Sequence, residues 1–300
     1  MDTTATVGAF GLGAMGFGIA ASLVRAGHTT YGFDIAPERE ALLVKEGGRS
    51  SPREAVASEL DAAVIVVLNA AQTEDVLFGP AGIVPHMRAG SVVIACATVA
   101  PAFAREMAAR CAENGVHYLD APISGGAAKA ASGELSVMAS GTAEAFSAAA
   151  LVLDACAATV FRLGDEAGAG SAMKAANQLL AGVHIAAMAE ALTFGMTQGI
   201  APETFVDVIS KCAGTSWMLE NRAPHVVTGD YTPLSQINIW PKDLGIVLEI
   251  AKSAGFSAPI TATALQQYMV AVGMGLGGQD DAAIAKVYAR NVGLTLPGDE

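Results

Sequence analysis

Length, composition and charge exclude several classes of protein. The chain has 300 residues, of which 52% are hydrophobic and only 15% charged, enough for about two domains with large cores. Its formal net charge is -12, from 17 Lys and Arg against 29 Asp and Glu, and no basic run is present, so a nucleic-acid partner is not expected. The five His form no ligand pattern, so no metal site is expected.

The hydropathy is high enough that membrane spans must be considered. Residues 175–189 are uncharged but shorter than the ~18 residues that a span needs. Residues 253–279 are also uncharged, but Pro259, Gln266 and Gln267 interrupt them. We expect both stretches to be buried helices of a protein with no membrane partner and no signal peptide.

The cysteines point to a reducing compartment. They lie singly among apolar residues, without paired or metal-ligand spacing: Cys96, Cys111, Cys156 and Cys212. We therefore expect four buried thiols in a cytoplasmic protein.

A glycine-rich turn lies between the first predicted strand and the first predicted helix. Gly11-Leu-Gly-Ala-Met-Gly16 matches G-x-G-x-x-G, in which the glycines permit the turn, the approach of a pyrophosphate and close helix packing. Phosphates would lie on backbone N–H groups at the positive end of the helix. An ordinary glycine turn is the alternative. The residues expected to bind a dinucleotide are Gly11, Leu12, Gly13, Ala14, Met15 and Gly16.

An acidic residue ends the second predicted strand. Asp34 lies near the offset of about 20 residues at which an acid accepts hydrogen bonds from the adenosine ribose. A carboxylate repels a ribose phosphate, and Ile35, Ala36 and Pro37 provide no Arg. The sequence therefore predicts NAD rather than NADP, with a turn-capping Asp as the alternative.

The first half of the chain alternates strands and helices. Continuous apolar runs are typical of strands covered on both faces, and their alternation with helices predicts a doubly wound parallel sheet. Ligands bind beyond the carboxyl ends of such strands, where Asn69, Thr98 and Asp120 fall. Strands are predicted at residues 61–68, 91–96, 116–119 and 135–139, and helices at residues 37–46, 105–114 and 146–154.

The pattern changes near Gly164. Residues 168–199 predict one long Ala-rich helix, and no strand run follows. We expect an NAD-binding domain at residues 1–165 and an all-helical domain for substrate binding and oligomerisation at residues 166–300, built on the long interdomain helix. Further helices are predicted at residues 202–211, 217–225, 242–254 and 260–272.

A turn after the strand at 116–119 offers an anion site. After Pro122, Ser124 supplies a hydroxyl and Gly125 and Gly126 supply successive N–H groups. Such a concave array holds anions, and a substrate carboxylate is a natural guest. An ordinary Ser-Gly-Gly turn explains the same residues, so both interpretations stay open.

Two lysines are predicted at positions that are unfavourable for a positive charge. Lys174 and Asn177 share one face of the long helix, and apolar neighbours would lower the pKa of Lys174 towards neutrality. Lys242 is predicted at a helix start, where a cation opposes the helix dipole unless a carboxylate or phosphate lies nearby. The alternatives are a solvated Lys174 and a surface Lys242 paired with Asp243 or Glu249.

Together these motifs resemble the β-hydroxyacid dehydrogenase family, which includes 3-hydroxyisobutyrate dehydrogenase and tartronate semialdehyde reductase. The resemblance covers nearly the whole chain and rests on Gly11–Gly16, Asp120–Gly126, Gly170–Asn177, and Lys242 with Pro259 after it. It implies an N-terminal Rossmann domain, NAD as cofactor, a small hydroxy acid as substrate, and a homodimer or homotetramer.

The resemblance also implies residue roles. Lys174 would be the acid/base on the substrate hydroxyl, Asn177 would position that hydroxyl or Lys174, and Ser124, Gly125 and Gly126 would hold the carboxylate. Where the family usually carries D-x-S-T, residues 95–98 read Ala-Cys-Ala-Thr, so Thr98 is kept and the Asp and Ser of that loop are absent. The residues expected near the cofactor are Leu68, Asn69, Thr98 and Lys242.

Two later segments, 214–222 and 229–233, look like the branch of L-threonate dehydrogenases. Thr215, Ser216 and Asn221 could bind the extra hydroxyls of a four-carbon sugar acid, with helix capping and packing as the alternative. The resemblance thus implies oxidation of L-threonate to 2-dehydro-L-erythronate, or the reaction of a 3-hydroxyisobutyrate dehydrogenase or a tartronate semialdehyde (2-hydroxy-3-oxopropionate) reductase. The rivals are an imine reductase, in which Asp or Tyr usually replaces Lys174, and a non-catalytic NAD-binding module.

Overall fold

The computed structural model describes residues 4–299, which form two compact units. The first unit ends at Lys174 and the second begins at Ala175, within one continuous helix. Each unit is therefore described by itself. The boundary at residue 165, which rests on the change of sequence period, stays a prediction.

A parallel sheet forms the centre of the first unit. Its strands are β1 (Thr6–Phe10), β2 (Thr29–Phe33), β3 (Ala62–Ile65), β4 (Val92–Ala95) and β5 (His117–Asp120). Within the described residues they lie in the order β2-β1-β3-β4-β5, and every neighbouring pair is parallel. β3 and β4 are buried along their whole length, as expected for strands covered on both faces. The doubly wound Rossmann sheet is thus confirmed.

A second, smaller sheet follows, made of β6 (Ile123–Ser124), β7 (Leu135–Ala139) and β8 (Ala157–Arg162). β6 is antiparallel to β7, and β7 is parallel to β8. The sequence predicted the strand at β7 but placed it in the parallel sheet, and it gave no strand at β8. The residues of β8 are half-buried or exposed, so they leave no apolar run in the sequence.

Helices cover the parallel sheet and fill the connections. Pro37 and Pro101 each begin a helix, where the missing N–H costs nothing and the fixed φ is already helical. The helices of this part are α1 (Ala14–Arg25), α2 (Pro37–Lys45), α3 (Arg53–Val56), α4 (Ala70–Phe78), α5 (Pro101–Glu113), α6 (Gly126–Ser132) and α7 (Ala143–Cys156).

Helices α1 and α6 pack together with almost no space between their backbones. A Cβ at Gly18 of α1 would lie 2.7 Å from the Ala131 nitrogen and 2.8 Å from the Ala130 carbonyl carbon. The Ser22 hydroxyl donates a hydrogen bond to the Ala130 carbonyl at 3.1 Å. Because α1 follows the glycine turn and α6 follows the Ser-Gly-Gly turn, this contact fixes the two turns relative to each other.

The second unit is built from helices, as predicted. No strand follows Arg162 in the described part of the chain. Trp240 stacks on Tyr268 at 5.5 Å between ring centroids, and the Tyr268 hydroxyl donates to the Gly182 carbonyl at 2.9 Å. The helices are α8 (Ala169–Thr197), α9 (Pro202–Ile209), α10 (Trp217–Thr228), α11 (Ile239–Ser253), α12 (Pro259–Gly273) and α13 (Ala285–Asn291).

Helix α8 is long and apolar enough to cross a membrane by length and composition, a test that core helices of soluble proteins also pass. Of its most apolar window, 44% is buried inside the structure. Ile185, Met188, Ala189 and Leu192 lie in the core of the second unit. One face of the helix expected at residues 175–189 is therefore buried, whereas Leu180 on the same stretch is exposed.

Three of the four cysteines are buried. Burial raises the pKa of the thiols of Cys111 and Cys156 to about 12, and it raises the pKa of Cys96 further. Cys212 is exposed in the turn after α9, so the expectation of four buried thiols is wrong at this position.

Candidate active site

The glycine turn joins β1 to α1, and its geometry explains each glycine. Gly11 has a φ of +88°, and a Cβ there would lie 2.4 Å from the Val66 carbonyl oxygen. At Gly16 a Cβ would lie 1.8 Å from the Gly11 oxygen, so only glycine permits this approach. At Gly13 a Cβ would meet no atom within 4 Å. The backbone at Gly13 therefore borders open space.

This open space suits the pyrophosphate of a dinucleotide. Gly13 caps α1, and the first N–H groups of a helix lack partners within it, so they can bind an anion at its positive end. Gly13 and Ala14 are exposed, whereas Leu12 is buried and Met15 packs against the core. The turn thus presents backbone to a ligand and anchors itself with apolar side chains.

The Asp34 carboxylate, at the end of β2, is hydrogen-bonded to the backbone of the glycine turn. Its Oδ2 accepts a hydrogen bond from the Leu12 N–H at 2.5 Å, and its Oδ1 accepts one from the Ala36 N–H at 2.9 Å. The side chain of the next residue, Ile35, is 99% exposed. Asp34 therefore caps a turn, as in the alternative, and also places a half-buried carboxylate beside the glycine turn.

Leu68, Asn69 and Thr98 follow β3 and β4 at the carboxyl edge of the sheet. Because β1, β3 and β4 are parallel neighbours, this edge also carries the glycine turn. Asn69 caps α4, its Oδ1 accepting from the Gln72 N–H at 2.9 Å. Leu68 is 64% exposed, and Thr98 is half-buried. The residues expected near the cofactor in this unit therefore share one edge.

The ammonium group of Lys174 lies beside the Ser-Gly-Gly turn. Its Nζ donates a hydrogen bond to the Ile123 carbonyl at 3.0 Å, and Ile123 directly precedes Ser124. Gly125 and Gly126 have φ values of +138° and +74°, conformations that favour glycine. The first unit thus brings together the expected acid/base and the expected carboxylate turn.

A buried carboxylate that the sequence left without a role holds the start of α8. Asp120 Oδ2 accepts from the N–H groups of Gly168 and Ser171, both at 2.8 Å, and Oδ1 accepts from the Ser171 hydroxyl at 2.6 Å. The Ser140 hydroxyl donates to Oδ2 at 3.3 Å and accepts from the Gly170 N–H at 2.9 Å. Burial raises the pKa of Asp120, and these hydrogen bonds oppose the rise.

In the second unit, Asn177 and Lys242 belong to one polar chain. Asn177 Nδ2 donates to Gln178 Oε1 at 3.0 Å, Gln178 Nε2 donates to Asp243 Oδ2 at 2.5 Å, and Lys242 Nζ lies 2.7 Å from Asp243 Oδ1. Gln178 is 8% exposed and Asp243 is 2% exposed. The pairing of Lys242 with Asp243 is the one named in the alternative; the Asp243 carboxylate is buried, whereas the Lys242 side chain is 30% exposed. Sequence reasoning missed Gln178 and did not connect Asp243 to Asn177.

The polar residues considered for extra substrate hydroxyls serve helix α10. Ser216 Oγ accepts from the Leu219 N–H at 3.1 Å as the helix cap, and the Thr215 hydroxyl donates to Glu220 Oε1 at 2.8 Å. Asn221 accepts from the guanidinium of the following arginine. In this structure Ser216 caps the helix, and Thr215 and Asn221 contact side chains of the same helix.

Comparison with known proteins assigns the family. Residues 6–164 match the family described as the NAD binding domain of 6-phosphogluconate dehydrogenase, and residues 168–288 match the one described as NAD-binding of NADP-dependent 3-hydroxyisobutyrate dehydrogenase. The L-threonate dehydrogenase of Cupriavidus necator is 51% identical, over 97% of this chain and 98% of that protein. The chain belongs to the 3-hydroxyisobutyrate dehydrogenase family.

Two further relatives agree with this membership. The L-threonate dehydrogenase of Escherichia coli K12 is 47% identical, over 97% of this chain and 96% of its own. A crystal structure of 3-hydroxyisobutyrate dehydrogenase from Salmonella typhimurium is 46% identical, with a TM-score of 0.89 over 95% of this chain and 100% of that one.

Membership of the 3-hydroxyisobutyrate dehydrogenase family confirms the enzyme class and the cofactor. The protein is an NAD-dependent dehydrogenase, and the matched family places NAD binding in the unit that carries the glycine turn. The open backbone at Gly13 and the carboxylate of Asp34 fit that cofactor.

Proposed function

We propose that this dehydrogenase oxidises L-threonate to 2-dehydro-L-erythronate with NAD. The observation that carries the proposal is the hydrogen bond from Lys174 Nζ to the Ile123 carbonyl, one residue before Ser124. It puts a proton-transfer group beside a turn suited to a carboxylate. The choice of L-threonate is supported by relatives of that name at 51% and 47% identity.

In the proposed mechanism the turn binds and Lys174 moves the proton. The substrate carboxylate accepts hydrogen bonds from the Ser124 hydroxyl and from the N–H groups of Gly125 and Gly126. Neutral Lys174 takes the proton from the substrate hydroxyl while the hydride leaves the carbon that carries this hydroxyl, so a ketone forms. NAD, when bound, supplies the acceptor for that hydride. In the reverse direction, the Lys174 ammonium protonates the alkoxide oxygen.

The other site residues orient the reactants in this proposal. Asn177 positions the reacting hydroxyl or Lys174, and Asp34 accepts hydrogen bonds from the adenosine ribose. The backbone from Gly11 to Gly16 binds the pyrophosphate. The residues proposed to line the rest of the cofactor are Leu68, Asn69, Thr98 and Lys242.

Substitution of Lys174 tests the mechanism. Lys174→Ala should lower kcat by about 100- to 10,000-fold, the usual cost of removing a positioned acid/base, while NADH binding measured by fluorescence is retained. Lys174→Arg is the matched control, because it keeps a cation that stays protonated and so cannot take the proton. Equal losses in both variants support the proton-transfer role. A Lys174→Ala enzyme with undiminished turnover would refute it.

A substrate panel tests the identity of the acid. The Salmonella structure named 3-hydroxyisobutyrate dehydrogenase favours a second candidate, and tartronate semialdehyde reduction is a third. We expect kcat/KM for L-threonate to exceed that for 3-hydroxyisobutyrate by about tenfold or more, the discrimination that pocket contacts supply. NADH formation, or NADH loss with tartronate semialdehyde, is the measurement. A non-catalytic NAD-binding module would bind NADH and convert none of these acids.

We also propose a cytoplasmic homodimer or homotetramer. Large apolar side chains are exposed on the second unit, including Leu180 at 54% and Phe194 at 66% on α8 and Val292 at 58% after α13. Phe194 and Val292 line one surface depression, and exposed apolar patches mark association surfaces. Light scattering on the purified protein should give two or four times the chain mass of 30.3 kDa.

A further inference from the structure

The helix that carries Lys174 begins without a capping side chain of its own. The first N–H groups of a helix have no partner within the helix and are commonly bound by a Ser, Thr, Asp or Asn just before it. At the start of α8 that place is taken by Gly168, which has no side chain. The cap is supplied instead by Asp120 at the end of β5, which accepts from the N–H groups of Gly168 and Ser171 at 2.8 Å.

Two contacts hold the beginning of α8 to one short segment of chain. Ser171 is bound to Asp120, and Lys174 is bound to the Ile123 carbonyl at 3.0 Å. Ser171 and Lys174 are three residues apart and so share a face of the helix. Asp120 and Ile123 both lie just before Ser124 in the chain. The carboxylate turn and the acid/base are therefore fixed to the same backbone segment.

The start of α8 has little freedom to shift. A Cβ at Gly170 would lie 2.4 Å from the Met138 carbonyl oxygen and 2.7 Å from the Asp120 carbonyl oxygen. The Gly170 N–H also donates to the Ser140 hydroxyl at 2.9 Å. The helix therefore starts in direct backbone contact with the ends of β5 and β7.

We propose that Asp120 is a positioning residue for the dehydrogenase reaction. Through Ser171 and the first turn of α8, it sets where Lys174 Nζ lies relative to the Ser-Gly-Gly turn, without touching substrate or cofactor. This inference rests on the proposed acid/base function of Lys174. Because a misplacement of about 1 Å can cost about 100-fold in rate, loosening this attachment should lower kcat rather than cofactor affinity.

Single substitutions give the first part of the test, with L-threonate and NAD as substrates. Asp120→Ala should lower kcat by about 10- to 100-fold, and Ser171→Ala, which removes only the 2.6 Å hydrogen bond, by about threefold to tenfold. The dissociation constant of NADH should stay within about twofold for both. Asp120→Asn should recover most of the rate, because its amide oxygen can replace Oδ2 and its NH₂ can donate to the Ser171 hydroxyl.

A cap elsewhere provides the matched control. Thr142 Oγ1 accepts from the Ala145 N–H at 3.2 Å and caps α7, a helix that carries none of the proposed site residues. Thr142→Ala should lower Tm and leave kcat unchanged. If it lowers kcat as much as Ser171→Ala does, the loss of a helix cap anywhere in this unit is sufficient and the positioning role is refuted.

The decisive measurement is a double-mutant cycle with Lys174→Ala. Residual turnover is measured as single-turnover NADH formation with enzyme in excess over NAD. If Asp120 acts through Lys174, adding Asp120→Ala to Lys174→Ala causes no further decrease. The same fold decrease in both backgrounds would overturn the inference and leave Asp120 as a structural cap. If Asp120→Ala does not fold, Ser171→Ala completes the cycle.

The cycle also distinguishes a failure of the proposed acid/base function of Lys174 from a failure of the positioning role of Asp120. A fully active Lys174→Ala enzyme contradicts the proposed function itself. A Lys174→Ala enzyme with strongly lowered but measurable turnover, and with the same fold decrease on adding Asp120→Ala, contradicts only the positioning role. If L-threonate is not oxidised, the cycle is run with the panel acid that is.

Discussion

The glycine turn of the first unit and the polar chain of the second are built in opposite ways. The turn works because side chains are missing: a Cβ would collide at Gly11 and Gly16 and would fill open space at Gly13. The polar chain works because side chains are present and paired, with Gln178 and Asp243 in contact although they are 65 residues apart in sequence. A site formed by backbone groups can be recognised from a motif of consecutive residues. A site formed by paired side chains can be recognised only once the tertiary structure is known.

The largest effect on stability is expected at the most crowded glycine. In Gly16→Ala the new Cβ would lie 1.8 Å from the Gly11 oxygen, so the turn or α1 must move. We expect a loss of about 3 kcal/mol in the free energy of unfolding, measured with urea. Gly273→Ala in α12 is the control, because its Cβ meets nothing within 4 Å. Replacing that helical glycine should stabilise the protein by up to about 1 kcal/mol.

Gly13→Ala separates folding from cofactor binding. Its Cβ meets no atom within 4 Å, and the backbone has a φ of -64°, which alanine adopts easily. We expect at most about 1 kcal/mol of lost stability and a rise of about tenfold or more in the dissociation constant of NADH, because the methyl group occupies the space for the pyrophosphate. Unchanged NADH affinity would show that this space is not used.

Gln178→Glu breaks the polar chain while keeping its shape. The new carboxylate oxygen would face Asp243 Oδ2, where the Gln178 amide now donates at 2.5 Å. Two facing carboxylates cannot both ionise easily, so we expect kcat to fall about tenfold near neutral pH and to recover partly as the pH falls and the pair shares a proton. Gln198→Glu, at an exposed position after α8, is the control and should have no effect.

The last prediction concerns the choice between the two dinucleotides. Asp34→Asn removes the charge that opposes a ribose phosphate but keeps an oxygen that can accept from the Leu12 N–H. We expect the ratio of kcat/KM for NADP to that for NAD to rise about tenfold, equivalent to about 1.4 kcal/mol. An unchanged ratio would show that another group sets the preference.

The sequence predicted the elements that are determined by the pattern of their own residues. The apolar runs that became β3 and β4 follow from burial on both faces, and the glycine turn follows from spacing alone. β8 was missed because its side chains are mostly exposed. The exposure of Cys212 was missed because solvent access in a turn depends on what packs nearby.

The site was predictable to the same degree. The sequence singled out Lys174 by its apolar neighbours. It did not show that the Ile123 carbonyl holds Lys174 or that Asp120 holds the start of α8. Asp120 and Ser171 are 51 residues apart, and their contact exists only because α8 starts against the ends of β5 and β7. Ser216 illustrates the reverse case, since the same hydroxyl suits a sugar acid or a helix cap, and in the structure it caps α10.

The close packing of α1 on α6 limits how this enzyme can evolve. A Cβ at Gly18 would lie 2.7 Å from the Ala131 nitrogen, so the contact between the two helices tolerates almost no larger side chain. Because α1 follows the glycine turn and α6 follows the Ser-Gly-Gly turn, a larger side chain at this contact would displace both turns. A change of substrate specificity and a change of cofactor specificity are therefore limited by the same helix contact. We expect small residues at this contact even in relatives that act on other substrates.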